Sequence, residues 1–321
     1  MPARWARSLA PFLLGLGLLA LSTASAAMGL MVEPAGARCG AVAPAPLAPP
    51  AAALNRLPDS QPVRGQKDLA WVWLGSPTSR YPHSALGSPV HAGTLHALIA
   101  PTSGAVREVV YSLPLHRVFE DRVPRLADLD GDGRDEIIVV ESDALRGAAL
   151  VVLGLRAPAS AGGAPGSPSG PALVELARGP YTGVPFRWLN PVGVADFDGD
   201  GKLDLASVTT PHVGGVLTLH HFRPPNLEPY AKAMDVSNHR MGALEQGLAA
   251  IIEQPGQRPS VIVPDMQLRA LHALRWDAPG QWKELAELKP MVARVERLTP
   301  APDGACALLA DGSWWRVKLT P

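Results

Sequence analysis

The sequence predicts an all-β protein assembled from repeated strand-and-turn units, and three observations point there. Pro and Gly number 34 and 31 among 321 residues, a fifth of the chain. That is too many for a helical bundle and too few for a globally disordered chain. One acidic, glycine-bearing motif occurs twice without a gap, at 127–140 and at 195–208. Around it, short runs rich in Val, Ile and Leu recur between turn residues, which is the pattern of strands. The charge balance narrows function at once. With 29 basic against 29 acidic side chains, and charged residues at only 18%, an electrostatic nucleic-acid binder or a polybasic membrane-surface protein is excluded as the default.

The first segment reads as an address. Arg4 and Arg7 precede an apolar run from Pro11 to Leu21, and Ala24-Ser25-Ala26 supplies a small-x-small cleavage pattern. Residues 1–27 are therefore expected to be a secretory signal peptide, too short in its apolar part to span a bilayer. No later stretch spans either, because Ile137 to Leu155 is interrupted by Glu141, Asp143 and Arg146. The protein is expected to be exported, periplasmic or extracellular. Residues 28–64 read as a flexible arm: from Pro34 to Ala53, 14 of 20 residues are Ala or Pro. Cys39 and Cys306 are the two cysteines. In an oxidising compartment they either pair, tying the arm to the end of the chain, or stand as two free thiols. The folded part is expected from 65 to 321. Residues 157–171, all Ala, Gly, Pro or Ser, form a surface insertion between two strand-like runs, Ala149–Leu155 and Leu173–Ala177.

The repeated motif carries chemistry. From Ala127 it reads Ala-Asp-Leu-Asp-Gly-Asp-Gly-Arg-Asp-Glu-Ile-Ile-Val-Val, and from Ala195 Ala-Asp-Phe-Asp-Gly-Asp-Gly-Lys-Leu-Asp-Leu-Ala-Ser-Val. Carboxylates fall at loop positions 1, 3, 5 and 9, with glycines at 4 and 6. Alternating acids on a tight loop converge several oxygens on one hard cation, and glycines let the backbone fold around it. The expected calcium ligands are Asp128, Asp130, Asp132 and Glu136 with the carbonyl of Arg134, then Asp196, Asp198, Asp200 and Asp204 with the carbonyl of Lys202. An EF-hand would need Glu at position 12, where this chain has Val139 and Ser207, and no helical periodicity precedes either loop. Two structural calcium ions, each in a loop joining two strands, are the expectation.

These two segments resemble FG-GAP/VCBS repeats, the calcium-loop repeats of integrin α-chain propellers and of many secreted bacterial β-propeller proteins. The resemblance implies that each loop joins the innermost two strands of a four-stranded blade. Degenerate copies extend the period. Paired runs occur at Ala70–Leu74 with Thr94–Ile99, Glu136–Val140 with Ala149–Leu155, and Asp204–Val208 with Val216–Phe222. Two more follow, Val261–Val263 with Ala270–Trp276 and Ala307–Leu309 with Trp314–Leu319. Leu98, Leu153, Leu219, Leu274 and Val317 recur as anchors at 43 to 66 residues. Five four-stranded units over about 255 residues suit a β-propeller, with six blades if the arm contributes more. The first unit lacks an innermost strand and the last an outermost, which pairing of the two chain ends would repair. A β-sandwich is the fallback.

Aligning the units places His83, Asp143, His212, Asp265 and Asp311 at one turn, and Trp188, Asn190, Asn238 and His239 on the connections into inner strands. If the resemblance holds, these form a polar ligand face opposite the calcium loops, suited to a protein, peptide or glycan. Asp and Asn also cap turns, which is the plainer reading. No Gly-x-Ser-x-Gly elbow or His-Glu-x-x-His motif is present. His220 and His221 are adjacent on a strand and cannot chelate together. The function expected is a secreted calcium-binding module for binding or scaffolding. The alternatives are a propeller-based polysaccharide lyase or hydrolase, and a surface adhesion protein.

Overall fold

Strands buried on both faces need apolar side chains at successive positions rather than at alternate ones, and this chain supplies them. In a computed structural model the described residues are 29–36, 39, 53, 55–100, 106–156, 170–277, 280–302 and 304–320. The expected signal peptide, most of the Ala/Pro-rich stretch 34–53 and residues 157–169 of the insertion lie outside them. The described residues form strands and turns, with no α-helix among them.

The strands lie in three sheets, of four, 13 and five strands, within which five mainly antiparallel groups of strands follow one another along the chain. Strand β1 (Gly29–Ala35) comes first in the chain. The first unit is β2 (Val63–Arg64), β3 (Leu69–Thr78), β4 (His91–Ile99) and β5 (Arg107–Ser112). Strand β6 (Arg117–Phe119) then bridges β4 to the second unit, which is β7 (Arg125–Ala127), β8 (Glu136–Asp143), β9 (Gly147–Arg156) and β10 (Ala172–Arg178). The third is β11 (Leu189–Ala195), β12 (Asp204–Thr209), β13 (Val216–Arg223) and β14 (Asn226–Met234). The fourth is β15 (Ala250–Ile252), β16 (Ser260–Pro264), β17 (Ala270–Asp277) and β18 (Gln281–Glu284), with β19 (Lys289–Pro290) on the other half of β17. The fifth is β20 (Val295–Ala301), β21 (Gly304–Leu309) and β22 (Trp314–Thr320), completed by β1.

Packing follows the period of two. Along β8, Ile137 and Val139 join Leu74 and Leu95 of the first unit, whereas Ile138 and Val140 join Leu189 and Leu205 of the third. The same alternation puts Val208 and Leu219 against Val261 and Val263, and Ile262 and Ala273 against Leu298 and Ala307. Four apolar cores thus lie between successive units. Each fully buried Val, Ile or Leu in them contributes roughly 1.5–3 kcal/mol relative to exposure.

The described parts of the arm are structured, where composition predicted a flexible segment. Gly29–Ala35 pairs with Trp314–Thr320 over seven residues, and Ala53 and Leu57 are buried. The physical reason is the edge of β22, which offers open backbone groups, and Leu30, which enters the core beside Val317 and Leu319. Cys39 and Cys306 are bonded, with Cα atoms 5.6 Å apart across 267 residues of sequence. The free-thiol alternative is thereby overturned.

Candidate metal centre

Each acidic loop joins the first and second strands of its unit. Residues 128–135 lie between β7 and β8, and residues 196–203 between β11 and β12. The apolar side chain at loop position 2 fixes each in place: Leu129 and Phe197 are buried in the cores between units. Glycines 131, 133, 199 and 201 all take φ between 74° and 84°, a conformation L side chains rarely adopt.

The two loops share three internal hydrogen bonds. Asp132 and Asp200 donate their backbone N–H to the Oδ1 atoms of Asp130 and Asp198, at 3.1 and 3.0 Å. Gly133 and Gly201 donate to the Oδ2 atoms of Asp128 and Asp196, both at 3.0 Å. Arg134 and Lys202, exposed at position 7, donate back to Asp132 and Asp200 at 2.9 and 2.8 Å. One oxygen from each of Asp128, Asp130 and Glu136 lies within 4.8 Å of the others, and the same holds for Asp196, Asp198 and Asp200. The first loop also carries an orphan: Asp128 Oδ1 is buried and has no hydrogen-bond partner. Convergent carboxylates with a buried, unsatisfied oxygen fit a hard divalent cation.

Position 9 distinguishes the loops. Glu136 is buried, and its Oε2 accepts the Leu129 N–H at 2.7 Å. Burial, reinforced by the charges of Asp130, Asp132 and Asp128, pushes its carboxyl up to about 7. Asp204 is buried too, but it is already engaged. Its Oδ1 lies 3.0 Å from His221 Nδ1, and its Oδ2 accepts the Tyr230 hydroxyl at 2.7 Å. Between the loops lies a cavity of about 350 Å³ lined by Asp128, Asp130, Asp200, Asp204, His221 and Arg223.

No protein-family model and no curated protein matches the chain. The chemistry of its sites therefore rests on its own residues.

Six residues of the expected ligand face do come together, as an interior network. Trp188 is buried, donates its indole N–H to Glu120 O at 2.9 Å, and stacks on His212 at 6.0 Å. His212 Nε2 lies 2.8 Å from His239 Nδ1, and His239 Nε2 lies 3.0 Å from Ala243 O. Asn190 and Asn238, both fully buried, each donate to the other's backbone carbonyl at 3.1 Å. His83 Nδ1 lies 2.6 Å from the buried carboxylate of Glu120. Burial lowers His212 to about 4 and His239 to about 3, so both are neutral near pH 7. These side chains staple the third unit to the approach to the fourth.

The other three cap turns. Asp143 accepts the N–H groups of Leu145 and Arg146 at 3.0 and 3.2 Å and pairs with the Arg146 guanidinium at 2.8 Å. Asp265 accepts from Arg269 and Ala270 at 2.7 and 3.0 Å, and Asp311 from Ser313 at 2.9 Å. Sequence reasoning missed His221 and Tyr230, whose contacts with Asp204 arise across strands. It also missed Asp135, which is buried and accepts the Gln66 and Lys67 N–H groups at 3.1 and 2.9 Å, lashing the first loop to the first unit.

A second cavity, of about 580 Å³, is lined by Gln61, Arg125, Pro191, Val192, Gly247 and Arg297, with Arg122, Asp59 and Glu245 among its other walls. These residues belong to, or just precede, the first strand of all five units.

Proposed function

We propose that the chain is an exported, calcium-binding β-propeller of the FG-GAP/VCBS type that acts as a binding or scaffold module for a protein, peptide or glycan. The observation that carries this is the pair of acidic loops with matching internal hydrogen bonds and convergent carboxylates. Five successive groups of strands, with a cavity bordered by the first strand of each, support five blades around an axis. The Cys39–Cys306 bond is compatible with an oxidising compartment.

In this reading the metal ions are structural. A bound calcium ion would offset the mutual repulsion of the loop carboxylates and cross-link positions 1 to 9. Asp128, Asp130, Asp132 and Glu136 would hold it in the first loop, and Asp196, Asp198 and Asp200 in the second. The lyase or hydrolase alternative would need a paired carboxylate or a free Lys/Arg cluster at the axis, and of the carboxylates lining the cavity Glu245 is tied to Arg297. The arginines there are engaged within the protein: Arg125 pairs with Asp121 at 2.5 Å, Arg297 with Glu245, and Arg122 donates to Val90 O at 3.1 Å. The binding-module reading is favoured accordingly. Its test is the thermal melt of the full chain with calcium and with chelator. Calcium should raise the melting temperature, and Asp130→Ala and Asp198→Ala should each remove part of the rise. A melt indifferent to calcium would sink the proposal.

A further inference from the structure

We propose that the second loop is a mixed nitrogen–oxygen metal site that takes a borderline transition-metal ion such as Zn2+ in preference to calcium, with His221 as its nitrogen ligand. The proposal rests on the reading of both loops as cation sites and separates them by donor chemistry.

His221 is presented as a metal-ligating imidazole is usually presented. One ring nitrogen is held by a carboxylate, which fixes the tautomer and leaves the other free to ligate. Here Nδ1 lies 3.0 Å from Asp204 Oδ1, and Nε2 points towards the loop, 4.0 Å from Asp198 Oδ2. The ring is held from two further directions. It stacks on Tyr230 with centroids 4.0 Å apart and planes 13° apart, and the Tyr230 hydroxyl donates to the second oxygen of the same Asp204. Asp198, Asp204 and His221 form one group whose ligand atoms lie within 4.8 Å of one another, and Asp196, Asp198 and Asp200 form a second. Asp204 orients the ring, and Asp198, common to both groups, is the loop carboxylate that faces Nε2. A shared ion with bonds of about 2 Å needs Asp198 and Nε2 to approach by roughly half an ångström, and Asp198 stands on a partly exposed loop.

The first loop has no such nitrogen. Asp204 pairs across the sheet with His221. In the second unit Ile137 pairs with Leu153, so the register sets Gly154 opposite Glu136. One loop therefore offers only oxygens and suits a hard cation, whereas the other adds imidazole, which favours Zn2+, Cu2+ or Ni2+ over calcium. The cavity beside His221 and Asp204 leaves room for water in the remaining coordination positions.

The test uses the full chain, stripped by chelator and held in excess calcium, titrated with Co2+ as a coloured stand-in and then with Zn2+. The expected result is one equivalent of Co2+ per chain, with visible absorption bands that Zn2+ abolishes and calcium does not. His221→Asn should weaken Co2+ binding at least tenfold, and Asp198→Asn, on the exposed loop, should do the same if the first variant fails to fold. Asp130→Asn in the first loop should leave it unchanged. Absence of Co2+ uptake, or uptake that both second-loop variants leave intact, overturns the proposal. The calcium melt of the same sample tells the two failures apart. A calcium-dependent rise without Co2+ uptake removes only the nitrogen-bearing site, whereas neither effect removes the cation reading of both loops.

Discussion

Replacing Glu136 by Gln should change the protein's stability in opposite directions with and without calcium. Without metal, the Glu136 carboxyl is buried beside Asp128, Asp130 and Asp132 and is raised from 4.5 to about 7. At roughly 1.4 kcal/mol per pKa unit, the ionised form carries a penalty of at most about 3 kcal/mol. Water reaches the loop from its exposed side, which screens the charges and reduces the figure to about 1–2 kcal/mol. The sign follows from proton binding. Between pH 4.5 and about 7 the folded chain retains a proton that the unfolded chain has released, so metal-free stability falls as pH rises through that window. Glutamine keeps the acceptor for the Leu129 N–H and removes the charge. In chelator at pH 8 the variant should therefore melt about 2–6 °C above the parent. In calcium the same change removes a ligand, so the variant should gain less from the ion and melt below the parent. Differential scanning calorimetry in the two buffers reads both signs. A variant that melts lower in chelator, or that keeps the parent's full calcium increment, refutes the reasoning.

Removing the disulfide as Cys39→Ala with Cys306→Ala opens a loop of 267 residues; chain entropy sets an upper limit of about 6 kcal/mol, and urea denaturation should show a loss of about 3–5 kcal/mol. Burial lowers His212 and His220 to about 4 and His239 to about 3. The unfolded chain takes up these protons below pH 6.5 while the folded chain does not, so stability should fall as pH drops from 6.5 to 4. Each histidine contributes at most about 3 kcal/mol by pH 4, about 9 kcal/mol for the three. Solvent screening reduces this to about 4–6 kcal/mol in a pH series of chemical melts, and His239→Gln should lessen the loss. Arg156 pairs with Ala172, so replacing 157–171 by Asn-Gly should close a tight hairpin and leave the melting temperature within about 2 °C; aggregation of that variant would contradict the insertion reading.

The strands that sequence reasoning found are those whose burial is two-sided. Glu136–Val140 begins β8 and Ala149–Leu155 makes up most of β9, two strands buried along nearly their whole length. The anchors Leu98, Leu153, Leu219, Leu274 and Val317 all fall in the third strand of their units. First strands were hard to see because β2, β7 and β15 have only two or three residues, too few for any period to register. Strand β1 was hidden by the Ala/Pro-rich stretch it runs into. The acidic loops were legible because their donors lie within nine consecutive positions. His221 and Tyr230 were not, since they lie 17 and 26 residues beyond Asp204 and reach it only through strand pairing. Asn190, Asn238 and His239 carry the composition of a surface in sequence. Their burial depends on partners from distant turns.

The pairing of Gly29 with Thr320 brings the two ends of the strand array side by side at the edge of the fifth unit. During synthesis, β1 is made first and meets its partner last, so the fifth unit closes only after every other strand has been produced. The same adjacency makes the order of the units a matter of where the chain is cut. A circular permutant that starts at Gly170, ends at Arg156 and joins the old ends by a short linker would retain every strand, and its β1 would follow β22 as an ordinary hairpin.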